Sequence, residues 1–221
     1  MTDFEKFKTL RCNAGYTVRG FALDANISTC VLVKYENGLK FITSISLERI
    51  VKMFALLHAS LPDFIADCYD FEREIASKMD AFMQNKTEVS FSTACEQLEA
   101  RIYQNHRRKR ITDSQEQILL NSLEKARNSG DKEMINSIIS DLRLILKPIP
   151  QDLPLVNQML LEQIHRSNFT FPELAALCDV SAEQLRKSIN SADGVYKMHV
   201  GTVYKICLIL SIPFDKLIGS L

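Results

Sequence analysis

The chain has 221 residues, and its 27 Lys and Arg offset 27 Asp and Glu, so it is neutral and long enough for one to three domains. A hydrophobic fraction of 46% supports packed cores, while seven Gly and six Pro leave little room for long structureless segments. Asp3 and Glu5 interrupt the start where a signal peptide needs an apolar run, and Lys205 breaks the longest apolar run near the end, so neither secretion nor membrane insertion is expected. Cysteines at 12, 30, 68, 95, 178 and 207 form no C-x-x-C pair, which suits reduced thiols in a cytoplasm better than disulfides or zinc. The four His are isolated, so no metal site is expected. A phosphate-cradling Gly loop, a nucleophile elbow and an H-E-x-x-H motif are all missing, so the chain is read as a non-enzyme without a cofactor.

In chain order, Phe4, Phe7 and Leu10 fall at helical spacing, and that helix ends near Asn13-Ala14-Gly15. Thr17 and Ser28, eleven residues apart, can each cap a helix by accepting from a free N–H of its first turn. Phe21 and Ala22 give the first of these helices an apolar face, and Ile27 fills the bend. Leu32 and Tyr35 point inward from the second, and Gly38 stops it. Two short helices joined by a tight turn follow the helix-turn-helix plan. Leu39 to Ser44 is expected as a loop. A fourth helix then carries Leu47, Ile50, Val51, Phe54 and Leu57, and Ser60-Leu61-Pro62-Asp63 begins a fifth. These elements define a first domain over 1–66.

Residues 67–150 predict a helical middle region. Its four helices are marked by Phe71, Ile75, Met79 and Phe82; by Phe91, Cys95, Leu98 and Ile102; by Ile118, Leu119 and Leu123; and by Ile135, Ile138, Ile139, Leu142 and Ile145. The third ends near Ser129-Gly130, Asp131 caps the fourth, and the two pair as a hairpin. Their wide stripes need a cover, either other helices of the region or a second chain, which would make a homodimer through the middle region. Lys147-Pro148-Ile149-Pro150 closes the region as a stiff linker.

Residues 151–221 repeat the first domain. At an offset of 153, positions 17–65 align without a gap and share nine identities over 49 positions, among them Thr17/Thr170, Ser28/Ser181, Leu32/Leu185 and Asn37/Asn190. Other core positions exchange one apolar residue for another, as in Phe21/Leu174 and Ile27/Val180.

The stretch Thr17 to Gly38, ending in Tyr35-Glu36-Asn37-Gly38, resembles the lambda-repressor/Cro (XRE) helix-turn-helix family over about residues 4 to 66. The resemblance implies an all-α chain in which two lambda-repressor-like five-helix domains flank the helical middle region, the second domain being divergent. It further implies a sequence-specific transcriptional regulator of bacterial or phage type that sets its third helices in the major groove of double-stranded DNA. Such a protein would be cytoplasmic and nucleoid-associated. One-domain regulators need a homodimer to reach two half-sites, whereas this chain could supply both domains itself. In the family an Arg late in helix one often pairs with a Glu near the end of helix three. Arg11 and Glu36 match those positions, and their equivalents are Ile164 and Ile189.

On that docking mode the DNA-facing residues of the first domain are Thr17, Arg19, Ser28, Thr29, Cys30, Val33, Lys34, Asn37 and Lys40. Those of the second are Thr170, Ser181, Ala182, Glu183, Arg186, Lys187 and Asn190. Arg186 could bridge guanine, Glu183 could accept from cytosine, and Val33 could touch a thymine methyl. The expected division gives backbone affinity to the first domain and base discrimination to the second. Where the family often carries Gln after the cap of helix two, this chain has Val18 and Phe171. The basic run His106-Arg107-Arg108-Lys109-Arg110 could meet the DNA backbone or simply sit at a solvated helix end. The net balance is +2 over 1–66 and −1 in each of the other regions, a faint basic footprint. It leaves a second reading open, that of a protein-interaction scaffold whose helix-turn-helix domains bind no DNA.

Overall fold

Side-chain caps written into the sequence set where the helices begin. The computed structural model describes residues 1–85, 90–167 and 169–219, and among these the regular structure is helical, with one isolated β-bridge. The first repeat comprises α1 (Asp3–Asn13), α2 (Val18–Asp24), α3 (Thr29–Glu36), a 3-10 turn (Ile42–Ser44), α4 (Leu47–Leu56) and α5 (Leu61–Cys68). Thr17 Oγ1 accepts from Gly20 N–H at 3.0 Å, Ser28 Oγ from Val31 N–H at 3.2 Å, and Ser60 Oγ from Asp63 N–H at 3.3 Å. Each such cap satisfies a donor that the helix itself cannot, worth about 1 kcal/mol. The 3-10 turn lies where a plain loop was expected, because Ile42 is driven inward to full burial.

The second repeat comprises α10 (Leu155–Arg166), α11 (Phe171–Leu177), α12 (Ala182–Ile189), α13 (Gly194–Lys197), α14 (Val200–Ile209) and α15 (Phe214–Ile218). The bounds of α11, α12 and α14 lie 153 positions beyond those of α2, α3 and α4 at both ends. The irregular joints coincide as well. Left-handed backbone occurs at Asn26 (φ 52°) and Asp179 (φ 57°), and again at His58 (φ 49°) and Ser211 (φ 54°). After each bend the chain closes the same way: Ile27 N–H donates to Ala22 C=O at 2.9 Å, and Val180 N–H to Ala175 C=O at 3.0 Å.

The two repeats meet through equivalent residues. Ser46 and His199 form the antiparallel bridge, Leu47 N–H donates to Met198 C=O at 2.8 Å, and Val200 N–H donates to Ile45 C=O at 2.9 Å. Residues 45–47 and 198–200 are the same three positions of the repeat, so the contact has local two-fold symmetry. Gly201 allows the close approach, since a Cβ there would lie 2.9 Å from Thr43 Cβ.

α6 (Phe71–Asn85) joins this pair rather than the middle helices. Phe71 stacks on Tyr69 with ring centroids 5.3 Å apart and also meets Tyr204 at 5.9 Å. Lys205 Nζ donates to Glu74 at 2.6 Å, while Lys78 Nζ reaches Glu74 at 2.8 Å and Asp179 at 2.5 Å. One hydrophobic core therefore runs from Phe7 through Ile75 to Leu217.

α7 (Phe91–Arg107), α8 (Asp113–Ser129) and α9 (Lys132–Leu146) build a separate core from Cys95, Leu98, Ile102, Leu119, Leu123, Ile135, Ile138 and Leu142. Of the two covers that the α8 and α9 stripes called for, helices of the same chain supply one, and the stripes give no reason for a homodimer seam here. Ile118, expected on the α8 stripe, is instead 64% exposed, because Leu119 and Leu123 already fill the inward face. α9 also packs against α10 and so brings this bundle against the second repeat.

Candidate nucleic-acid interface

In the first repeat, burial of Leu32, Tyr35 and Glu36 fixes the rotation of α3 about its axis. Thr29, Cys30, Val33, Lys34 and Asn37 consequently lie on its exposed side. Thr17 and Arg19 at the start of α2, Ser28 ahead of α3 and Lys40 just after it are exposed too. Leu39 and Phe41, 73% and 74% exposed, flank Lys40. Nothing in the sequence marks them, since a loop has no period from which to assign a face.

A buried ion pair locks α3 from behind. Arg11 Nε donates to Glu36 Oε1 at 2.5 Å and Arg11 Nη2 to Glu36 Oε2 at 3.0 Å, while Nη1 donates to Tyr16 C=O at 2.6 Å. The fork ties α1 to α3 and to the residue just before the α2 cap. The Glu36 hydrogen bonds hold the Arg11 guanidinium above its ordinary pKa despite burial. Gly38 (φ +70°) then turns the chain under the Phe4 ring, at a spot where a Cβ would lie 2.9 Å from that ring.

The second repeat presents its face differently. Thr170, Ser181, Glu183, Lys187 and Asn190 are exposed, but Ala182 is half-buried against the core and does not face outward as expected. Its methyl is small enough to be drawn under the helix start. The Arg186 side chain folds back, with its guanidinium carbon 5.6 Å from the centroid of the Phe171 ring. Asn190 Nδ2 donates to Arg186 C=O at 2.8 Å rather than projecting freely. Glu183, Arg186, Lys187 and Asn190 line one wall of a groove of about 540 Å³, and the linker from Lys147 to Pro150 forms another. Among the described residues the first repeat leaves the matching surface open. Lys8 and Cys12 are exposed there, whereas their equivalents Leu161 and His165 are buried and half-buried.

The basic run occupies the last turn of α7 and the turn after it. His106 Nε2 lies 2.7 Å from Asp113 and its Nδ1 3.2 Å from Glu116, while residues 107–110 are exposed. Among the described residues no three His, Cys, Asp or Glu side chains converge on a possible metal position, and no helix is long and apolar enough to cross a membrane. No family model, curated protein or solved structure matches the chain.

Proposed function

We propose that the chain is a sequence-specific DNA-binding transcriptional regulator that carries its own dimer, two helix-turn-helix units related by an internal two-fold. The observation that carries this reading is the contact between residues 45–47 and 198–200, where equivalent positions of the two repeats exchange backbone hydrogen bonds. An isologous pair about a dyad is how one-domain regulators present two third helices to successive major grooves. On this reading the α2 and α3 caps, Thr17 and Ser28, set the helix starts near the phosphates. Arg19, Lys34 and Lys40 neutralise backbone charge, and Thr29, Cys30, Val33 and Asn37 meet base edges. Arg186 drops out as a base reader because its side chain folds back over Phe171 toward the cleft beside the linker instead of projecting from α12. The first repeat thus becomes the principal contact, with Thr170, Ser181, Lys187 and Asn190 supplementing it.

The test is a binding-site selection from random duplexes, followed by salt titrations of the enriched sequence. Lys34→Ala should weaken binding to all sequences and lower the salt slope by about one unit. Val33→Ala should alter preference at one position and leave the slope unchanged. A second reading, a scaffold whose helix-turn-helix units bind protein, draws on the neutral charge and on the linker wall beside α12. If no duplex is retained at low salt, that reading replaces the first.

A further inference from the structure

Where the α7–α9 bundle meets the second repeat, five basic side chains converge on one cleft. They are Arg101 of α7, Arg143 of α9, Lys147 just beyond it, His165 of α10 and Arg186 of α12. The cleft has a volume of about 230 Å³ and shares Lys147, His165, Phe171 and Arg186 with the adjoining groove of about 540 Å³. Among the described residues no Asp or Glu lines the cleft, Glu183 being on the adjoining groove, and the apolar wall of the cleft includes Phe169 and Phe171. We propose that this cleft binds a small organic phosphate, a ligand with two or more negative charges beside a flat apolar group.

The basic residues are held together without direct ion pairs. Among the described residues none of the five makes an ion pair, although neighbouring cations do, as Arg166 of α10 does with Glu162 at 2.5 Å and Arg127 of α8 with Glu99 of α7 at 2.5 Å. Arg143 spends one N–H on Ser167 C=O at 2.5 Å, which fixes its guanidinium in place. His165 Nδ1 is buried and has no hydrogen-bond partner among the described residues. Like charges and burial act on the same groups. Burial, then Arg101, lowers the affinity of Arg143 for its proton, with Glu173 opposing; burial, then Arg143 and Lys147, lowers that of His165. A fold that gathers mutually repelling cations around a cavity gains from an anion placed between them.

The guanidinium forks suit phosphate oxygens, and several of them around one small volume suit clustered charge rather than a lone carboxylate. The phenyl rings suit a ring system, and Arg186, 5.6 Å from the Phe171 centroid, is placed to meet a charged group beside that ring. Together the cleft and groove lie in the size range of small-molecule sites, about 300–1,000 Å³. A DNA backbone is a poorer match, since it spreads its charges along an extended line and brings no group for the apolar wall. The proposal stands apart from DNA binding and is tested separately.

The experiment is isothermal titration of the full chain with inorganic phosphate, pyrophosphate, AMP and ATP at moderate salt, with a mixed-sequence duplex as a further arm. We expect a nucleotide to bind more tightly than inorganic phosphate. Arg143→Gln and Arg186→Gln should each weaken it about tenfold or more, as loss of a charge-assisted bond does, while Arg108→Gln in the exposed basic run should leave it unchanged. Should circular dichroism show Arg143→Gln unfolded, Arg101→Gln and Arg186→Gln, both at exposed side chains, decide the matter. The proposal is overturned if no phosphate probe binds, if Arg108→Gln weakens binding as much as the cleft variants, or if the cleft variants leave it intact. It is also overturned if the duplex displaces the nucleotide with the same dependence on Arg186, which would make the cleft a backbone contact.

Discussion

The two repeats keep one skeleton and hold it together with different chemistry. In the first, α1 and α3 are joined by the buried Arg11–Glu36 pair; in the second, Ile164 and Ile189, both buried, occupy the same places. The neighbouring position pair changed together too. Phe4 covers Gly38 in the first repeat, whereas the buried Asn157 replaces Phe4 and its Nδ2 donates to Ile189 C=O at 2.8 Å and to Ser191 C=O at 2.9 Å. Ser191 is the equivalent of Gly38. The caps of α2 and α3 and the left-handed joints at Asn26 and His58 recur in the second repeat. The Ser60 cap, by contrast, gives way to Pro213, and the left-handed Gly38 has no left-handed counterpart at Ser191. The seam residues are exchanged in pairs. The difference teaches which parts of the sequence specify the path of the chain and which only fill it.

The largest effect is expected at the ionic seam. Glu36→Ala leaves the Arg11 charge buried without its partner, a loss of roughly 3–5 kcal/mol. Arg11→Ile combined with Glu36→Ile copies the second repeat and should cost clearly less, even though Tyr16 C=O loses its donor. Urea unfolding of the single and double variants checks this. Equal losses would mean that the seam does not act as an exchangeable pair.

A smaller effect separates the two sides of the internal two-fold. Gly201 sits against Thr43, and its Cβ position is 3.5 Å from the Phe71 ring, while its equivalent Glu48 is exposed. Gly201→Leu should therefore overpack the contact and cost about 1–3 kcal/mol. Glu48→Leu should stay within about 0.5 kcal/mol. Thermal melts of the two variants give the comparison directly. If Gly201→Leu melts with the wild type, the repeats are not pressed together at this point.

Much of this was legible in the residues, and the remainder had a physical reason to be hidden. Thr17, Ser28, Ser60, Thr170 and Ser181 announced their helix starts because a cap acts over three residues. The period of Phe71, Ile75, Met79 and Phe82 gave α6 but not its partner, since periodicity says that a face is buried and not against what. The outward direction of Arg186 followed from helical spacing, yet a long side chain can lie back along its own surface, and Phe171 offered a ring for it. The wall that the linker raises beside α12 depends on how α9 docks on α10, a long-range contact that no local pattern encodes. Leu161, apolar where the first repeat has Lys8, was the available signal of a covered surface.

That covered surface predicts the smallest and most specific difference. His165 stands where the first repeat has Cys12, and burial, followed by the charges of Arg143 and Lys147, holds its imidazole below the usual pKa. The folded chain therefore takes up this proton less readily than the unfolded chain, whose His titrates near about 6.5. Below that value the unfolded state binds more protons, so the stability contributed by neutral His165 is full above about pH 6.5 and is lost as pH falls through the interval beneath it. Solvent screening of a half-buried ring keeps the effect to no more than a few degrees of melting temperature. Melts from about pH 7.5 to about pH 5.5 should show a steeper decline for the wild type than for His165→Gln, which removes the proton site and keeps a polar side chain. His58, His106 and His199 are common to both proteins, so the difference between the two curves isolates His165. An identical decline would mean that the bundle does not press its positive charge onto the second repeat, and the contrast between a free first face and a covered second face would lose its electrostatic support.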